Sequence, residues 1–433
     1  MRMKFNKPGQ LALAASVSLA AAVLISACGT LTVDFVYVTS SKAAGGNNYG
    51  EIDVLEVNSE SGRLRPIPTS PFPSGGRDPV AEAVAPNFKN LYVVNEDDNT
   101  VVQFAIGNDG KVYPQNTVNT PGVFPIGVAV SGSLLFVADT YQPLPTCSPA
   151  QPCSGSVAVF PLSPSGAPGA PAVNSSVNGS YWPLTLPCSR TDVLTPSSIN
   201  VEASGKFVFV AAYDVTAAAA NSANPVQANA CDMAGAGTAP TGYIFAYAAG
   251  SGGALSAVPG SPFVVAARDA NGAGVQPSWV TSDSKGQYLY VTDALGGAVY
   301  GYTVSSSGEL TRLTDQPFAA GNQPSSMTID SAGDYAYVTN ALDNTVTAYT
   351  VANGVLSSFG SFAVSTQPVA VLIDPSTNQF VYAAGYLGST VSGYQLKPGS
   401  PPSLVATQSS PYTSNAQPTA MVAIPHNGTK PKY

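Results

Sequence analysis

Residues 323–351 read QPSSMTIDSAGDYAYVTNALDNTVTAYTV. Pro324 opens a short apolar stretch, the Tyr-rich run Tyr335-Ala336-Tyr337-Val338 follows it, and an alternating run from Val346 to Val351 comes next. Short period-two runs of β-branched and aromatic residues, bounded by Gly- and Asn-containing turns, read as strands. One stretch therefore predicts three consecutive strands.

The same pattern recurs along the chain. Pro-led segments start at Asp78-Pro79, Phe124-Pro125, Thr195-Pro196, Gln276-Pro277, Gln323-Pro324, Gln367-Pro368 and Gln417-Pro418. Tyr/Phe-rich runs follow the first six, at Leu91–Val94, Leu135–Val137, Phe207–Val210, Tyr288–Val291, Tyr335–Val338 and Phe380–Tyr382. A seventh, Phe35–Val38, lies near the N-terminus with no Pro segment before it. Third strands are expected at Ile52–Val57, Val101–Ile106, Val157–Leu162, Tyr243–Tyr247, Val299–Val304, Val346–Val351 and Val391–Leu396. Fourth strands often end in a Pro-aromatic pair, as at Pro71-Phe72, Pro262-Phe263, Pro317-Phe318 and Pro411-Tyr412. Four strands repeated seven times predict an all-β fold, a seven-bladed β-propeller. The C-terminal segment Gln417–Ile424 lacks a second strand and Phe35–Val38 lacks a first. Pairing them completes one blade and closes the ring without a free edge.

Spacing between the prolines is 44 to 50 residues except for two intervals of 71 and 81. The excess lies at Thr140 to Gly155, Pro171 to Leu194 and Val215 to Thr241. With the first strand innermost, second-to-third loops and blade-to-blade loops open on one face, so all three insertions decorate that face. Cys147 and Cys153 bracket a Pro-rich loop and form the natural local pair. Cys188 and Cys231 both fall in the insertions, which favours a bridge between adjacent blades.

Composition fits this reading and narrows the function. The 433 residues include 41 Gly and 37 Pro, charged residues are only 10%, and hydrophobic residues are 44%, enough for a large core. An average soluble domain carries about 25% charged residues. The net charge of −8 supplies no clustered Lys and Arg, so nucleic acid is not an expected partner. A single His restricts acid–base and metal chemistry. No metal or cofactor is expected, and no G-x-S-x-G elbow, P-loop or C-x-x-C-H motif is present.

At the N-terminus, Arg2, Lys4 and Lys7 precede an apolar run from Leu11 to Leu24, the order of a secretory signal. The run ends in Ile25-Ser26-Ala27-Cys28, which resembles the lipobox of bacterial lipoproteins. That resemblance implies cleavage before Cys28, a lipid on Cys28 and export to the cell envelope, on the outer membrane or a periplasm-facing membrane. The expected organisation is a signal peptide at 1–27, a tether at 28–33, a propeller at 34–425 and a tail at 426–433, forming a monomer. An exported chain with four further Cys is expected to hold disulfides.

Tyr337-Val338-Thr339-Asn340 and Tyr290-Val291-Thr292-Asp293, with third strands such as Asn344–Tyr349, resemble YVTN-type repeat propellers. More closely, they resemble the seven-bladed lactonase family similar to bacterial 6-phosphogluconolactonase. Leu91–Glu96, followed by Asn99-Thr100-Val101, is similar to that family's Asn-Glu turn. The resemblance spans residues 34–425. It implies lactone opening at the channel mouth, with Glu96 as the water-activating base and Arg77 or Arg268 as anion stabiliser. The family's His before an inner-strand proline is missing; Gln276, Gln323, Gln367 and Gln417 stand in such places. The single histidine, His426, follows the final inner strand and is expected on the opposite face.

Asn95, Asp139, Asp293 and Asn340 share one repeat column at the end of the second strand, where Asx side chains commonly fix turns. Asp139, Asp293, Gln276 and Trp279 are also candidate ligand contacts at the mouth. The first expectation is a binding module that holds a small molecule, a glycan or an envelope protein. The second is a lactone hydrolase.

Overall fold

The computed structural model describes residues 31–41, 48–187, 192–215, 242–266, 274–414 and 417–426. They form seven antiparallel sheets arranged as a seven-bladed propeller. The innermost strands are Pro79–Val84, Val123–Ser131, Leu194–Val201, Pro277–Ser282, Pro324–Ile329, Pro368–Ile373 and Pro418–Pro425. Each packs against the next around the ring. Blades are numbered from the one that contains both ends of the chain.

Closure follows the expected pairing. Thr32–Ser40 pairs with Glu51–Asn58 on one side and with C-terminal Pro418–Pro425 on the other, placing Val36 opposite Ala423 and Val38 opposite Met421. The first blade is therefore built from both ends of the chain, and unfolding either end opens the ring.

The recurrent proline has a local cause. It has no N–H to give the ladder, so it sits where regular pairing begins. In all seven blades the register slips by one residue directly after it, as between Pro79 and Ala81 or Pro324 and Ser326. The bulged residue is free to turn its side chain toward the neighbouring blade. Three of these residues do: Ser278 Oγ donates to the Pro324 carbonyl, Ser325 Oγ to the Pro368 carbonyl and Thr419 Oγ1 to the Pro79 carbonyl, each at 2.6 Å.

Tyrosine of the second strand staples blades farther out. The hydroxyls of Tyr37, Tyr92, Tyr290 and Tyr382 donate to the carbonyls of Gly110, Gly166, Gly354 and Gly62 in the next blade, at 2.6 to 2.9 Å. At Gly62, φ is +64° and an added Cβ would lie 2.2 Å from the Phe380 ring, so only glycine fits that turn. The hydrophobic core is a set of seams between blades. One joins Phe209, Val280, Val291 and Tyr302; another joins Val36, Leu55, Leu372 and Tyr382 across the closure.

The Pro-aromatic pairs end the outer strands in a particular way. Phe72, Phe263, Phe318 and Tyr412 belong to separate two-residue strands that return to the third strand, so four blades have a broken outer edge. In three of these blades a serine hydroxyl, from Ser70, Ser261 or Ser410, accepts a third-strand amide at 2.9 Å.

Cys147 and Cys153 are joined as expected. Cys28, Cys188, Cys231 and Arg268 lie outside the described residues.

Candidate functional site

All inner strands begin, and all second strands end, at the same end of the ring, which is therefore the mouth of the central channel. The register shows this directly: Pro79 lies opposite Asn95, Pro277 opposite Asp293 and Pro324 opposite Asn340. The channel has a volume of about 480 Å³ and is lined by inner strands of all seven blades. That volume is within the usual range of small-molecule sites, about 300–1,000 Å³.

The rim is built from two repeating positions. The residue after the Asx column donates its amide to the carbonyl of the residue before the proline. This bond joins Glu96 to Asp78, Ala294 to Gln276, Ala341 to Gln323, Tyr386 to Gln367 and Ser41 to Gln417, at 2.8 to 3.0 Å. Asp78, Phe124, Gln323, Gln367 and Gln417 take positive φ there, between 49° and 62°. Four blades, at Asp78, Gln323, Gln367 and Gln417, combine the bond and the positive φ, so the backbone holds them in one geometry while the side chains differ. Only the second blade places carboxyl groups at both positions.

Asp78 and Glu96 are half-buried. Burial, then the neighbouring carboxylates of Asp78 and Asp97, pushes Glu96 up to about 7. Burial and Asp97 raise Asp78 as well. Among the described residues neither side chain takes a hydrogen bond or an ion pair. Their oxygens are left for solvent or a ligand.

Arg77 is close in sequence but committed elsewhere. Its Nε donates to Asp98 Oδ1 at 2.7 Å, its amide to Asp98 Oδ2 at 2.8 Å and its Nη2 to the Asp97 carbonyl at 3.1 Å. These contacts staple the blade-to-blade loop onto the Asp97-Asp98 turn. Arg77, one of the two expected anion stabilisers, is thus a loop brace, and no cation faces Glu96 among the described residues, which do not include Arg268. Among those residues there is also no cluster of three or more His, Cys, Asp or Glu able to hold a metal ion.

The Asx column works on backbone. Asp139 is fully buried and accepts the Gly122 amide at 3.2 Å. Asp293 accepts the amides of Gln276 and Leu295 at 2.9 and 3.0 Å. Asn340 accepts the Gly321 amide and donates to Thr345 and Thr347. Neither Asp139 nor Asp293 is in the channel wall. Gln276 is at the rim, and Trp279 lines the channel. His426 lies at the far end, its Nδ1 2.9 Å from the Thr32 carbonyl and its ring edge-on to Phe35.

Two features escaped the sequence. Asp78 reads there only as the residue before an inner-strand proline, whereas it is Glu96's rim partner. Glu82 lines the channel and went unnoticed. Aligning the seven inner strands would have exposed it, because it is the one charged residue in its column.

Comparisons with known proteins agree with this architecture. The profile of a family described as "Lactonase, 7-bladed beta-propeller" matches residues 35–211 and 289–426. A candidate 6-phosphogluconolactonase from Bacteroides fragilis superposes with a TM-score of 0.68 at 18% identity, over 92% of this chain and 99% of that one. The periplasmic gluconolactonase of Pseudomonas aeruginosa gives 0.68 at 18% identity, over 90% and 99%. A candidate 6-phosphogluconolactonase from Bacteroides uniformis gives 0.66 at 17%, over 91% and 100%. No curated protein matches the sequence.

Proposed function

The chain belongs to the seven-bladed lactonase family, and from that premise we propose that it is an envelope-anchored binding protein for a small polyhydroxylated ligand, of the sugar or sugar-lactone kind, held at the channel mouth. The observation that carries this reading is the unpartnered pair Asp78 and Glu96 on a rim where glutamine precedes the inner-strand proline in four of the other six blades. Carboxylates and Gln amides around a concave opening suit a ligand rich in hydroxyl groups.

Lactone hydrolysis is the second reading, favoured by Glu96, whose carboxyl is held near 7, where a general base works best. It needs a donor for the developing oxyanion; Arg77 is spent on Asp98, which leaves that role to Arg268, outside the described residues. Binding requires only what the mouth already has.

Anchoring gives the site an orientation. Asp34 pairs opposite Pro425, so the first strand enters at the end remote from the mouth. Cys28 precedes Thr32 by four residues, which span at most about 14 Å. A lipid on Cys28 would hold that floor near the membrane and point the mouth away from it.

The experiment is a calorimetric titration with glucono-δ-lactone, with acid release followed in parallel. Saturable binding, weakened at least tenfold by Glu96→Gln and without acid release above the spontaneous rate, supports the binding reading. Accelerated acid release lost in the variant supports hydrolysis, and no binding contradicts both.

A further inference from the structure

The second-strand aromatic column runs Tyr37, Tyr92, Phe136, Phe209, Tyr290, Tyr337 and Tyr382, and three residues before it stand Asp34, Lys89, Ser133, Lys206, Gln287, Asp334 and Gln379. Six of these are exposed, at the solvent end of the turn between first and second strands. Asp34 is completely buried. The first blade has no such turn, because its first and second strands come from opposite ends of the chain. The seventh blade's turn covers the gap instead: the Ser376 hydroxyl reaches across the seam to Asp34 Oδ1 and to the Val33 carbonyl, 3.3 Å away.

That turn brings a second carboxyl to Asp34. Asp374, also completely buried, takes three amides and a hydroxyl from its own turn and is therefore the ionised member. Asp34 Oδ2 has no N–H or O–H donor among the described residues, and the Asp34 carboxyl stands within hydrogen-bond reach of Asp374. Two carboxyl groups in contact and out of water do not both ionise. Burial first, then the Asp374 charge, raises Asp34 to about 8, against the pull of Ser376. Burial raises Asp374 too, but its turn donors pull the other way. The other charged and titratable neighbours supply no counter-ion. On the seventh blade, Tyr382 feels both carboxyls and gives its hydroxyl to the Gly62 carbonyl, with Tyr412 beside it. On the first blade, Glu56 and His426 adjoin Val57 and Pro425, the cross-strand partners of Asp34, and both engage Thr32. Arg63, on that blade's outer turn, acts on Tyr412. No Lys or Arg pairs with either aspartate among the described residues.

We propose that the ring closure carries a pH-sensitive clasp: a proton held on Asp34 against the Asp374 carboxylate ties the first blade to the seventh, and losing it loosens the floor end of strand Thr32–Ser40. In an opened seam Asp34 meets water and returns to its ordinary value near 4. Opening therefore releases the proton, and from about pH 4 to 8 each pH unit makes opening up to about tenfold easier. The clasp is tight in acid and slack in mild alkali.

The test compares hydrogen exchange of the protein and its Asp34→Asn variant at pH 5 and pH 8, corrected for the intrinsic exchange rate. Asn keeps the shape, accepts the Ser376 hydroxyl at Oδ1 and donates from Nδ2 to Asp374, with no titrating proton. Between the two pH values, protection of the amides of residues 33–37 should fall at least tenfold more in the parent than in the variant, while the inner strands of the fourth and fifth blades change alike in both. Asp34→Asn should also raise the Tm by about 2 °C or more at pH 8, and by less at pH 5. Asp374→Asn, which removes the charge its turn donors need, should lower the Tm at both. An equal loss of protection in parent and Asp34→Asn, a lower Tm of Asp34→Asn at pH 8, or an Asp374→Asn variant as stable as the parent overturns the proposal.

Discussion

Carboxyl groups gather at both ends of this ring, and their surroundings separate two roles. At the floor, Asp283, Asp330 and Asp374 close the first turn of three consecutive blades. Asp374 is completely buried; its Oδ1 accepts the amides of Gln379 and Phe380 at 2.7 and 2.6 Å, and its Oδ2 accepts the amide and hydroxyl of Thr377, both at 2.7 Å. Asp283 and Asp330 repeat the two-amide arrangement. At the mouth, Asp78 and Glu96 have no such donors. These three floor carboxylates are used up by their own turns, whereas Asp78 and Glu96, unlike Asp139 and Asp293 in the neighbouring Asx column, are left available to something else.

Removing a floor carboxylate should have the largest effect on stability. Asp374→Ala strands three amides and a hydroxyl in a buried turn and is expected to cost about 3 kcal/mol in denaturant unfolding. Glu96→Ala should cost less than about 1 kcal/mol. Equal losses would erase the distinction between the two ends.

The next effect is on pH dependence. Burial raises Asp34 to about 8, Glu82 to about 8 and Asp139 to about 7. Their unfolded values lie near 4, so between about pH 4 and 8 the folded chain holds more protons than the unfolded one. The stability these groups contribute is therefore fullest below about pH 4 and falls as pH rises from there through 8, by about 2 kcal/mol or more between pH 5 and 8.5. A thermal melt that is flat across this range, or that rises, would contradict the buried-acid assignment.

Tyr382→Phe should be smaller again. It removes the hydroxyl that ties the seventh blade to Gly62 of the first, for about 1 kcal/mol. The third and fourth blades already carry Phe136 and Phe209 at this position, so the ring tolerates the change one blade at a time. The smallest shift belongs to Glu96→Gln, with stability within about 0.5 kcal/mol of the parent.

Much of the fold was legible because a repeat is local information written many times. Pro79 and its six counterparts mark inner strands, since proline is tolerated only where the ladder begins, and the orphan segments at each end predict the closed first blade. The Cys147–Cys153 bridge was legible because only five residues separate the two thiols. The candidate site was less so. Arg77 lies beside Asp78 in sequence, but its partner Asp98 comes from the next turn of the same blade, 21 residues on, and only folding brings them together. Asp139 and Asp293 sit where a mouth contact was expected, yet they turn toward backbone amides, which residue type alone does not reveal. Glu82 was hidden for the opposite reason: its alternating strand reads as ordinary, and its oddity appears only against six sister strands.

The availability of the mouth carboxyls is tested most directly by calorimetric titration of the protein and its Glu96→Gln variant with glucono-δ-lactone at pH 6. Saturable binding by the parent protein, weakened at least tenfold in a variant with an unchanged Tm, is the expected result. Failure of the parent protein to bind, or equal affinity in both proteins, would contradict it.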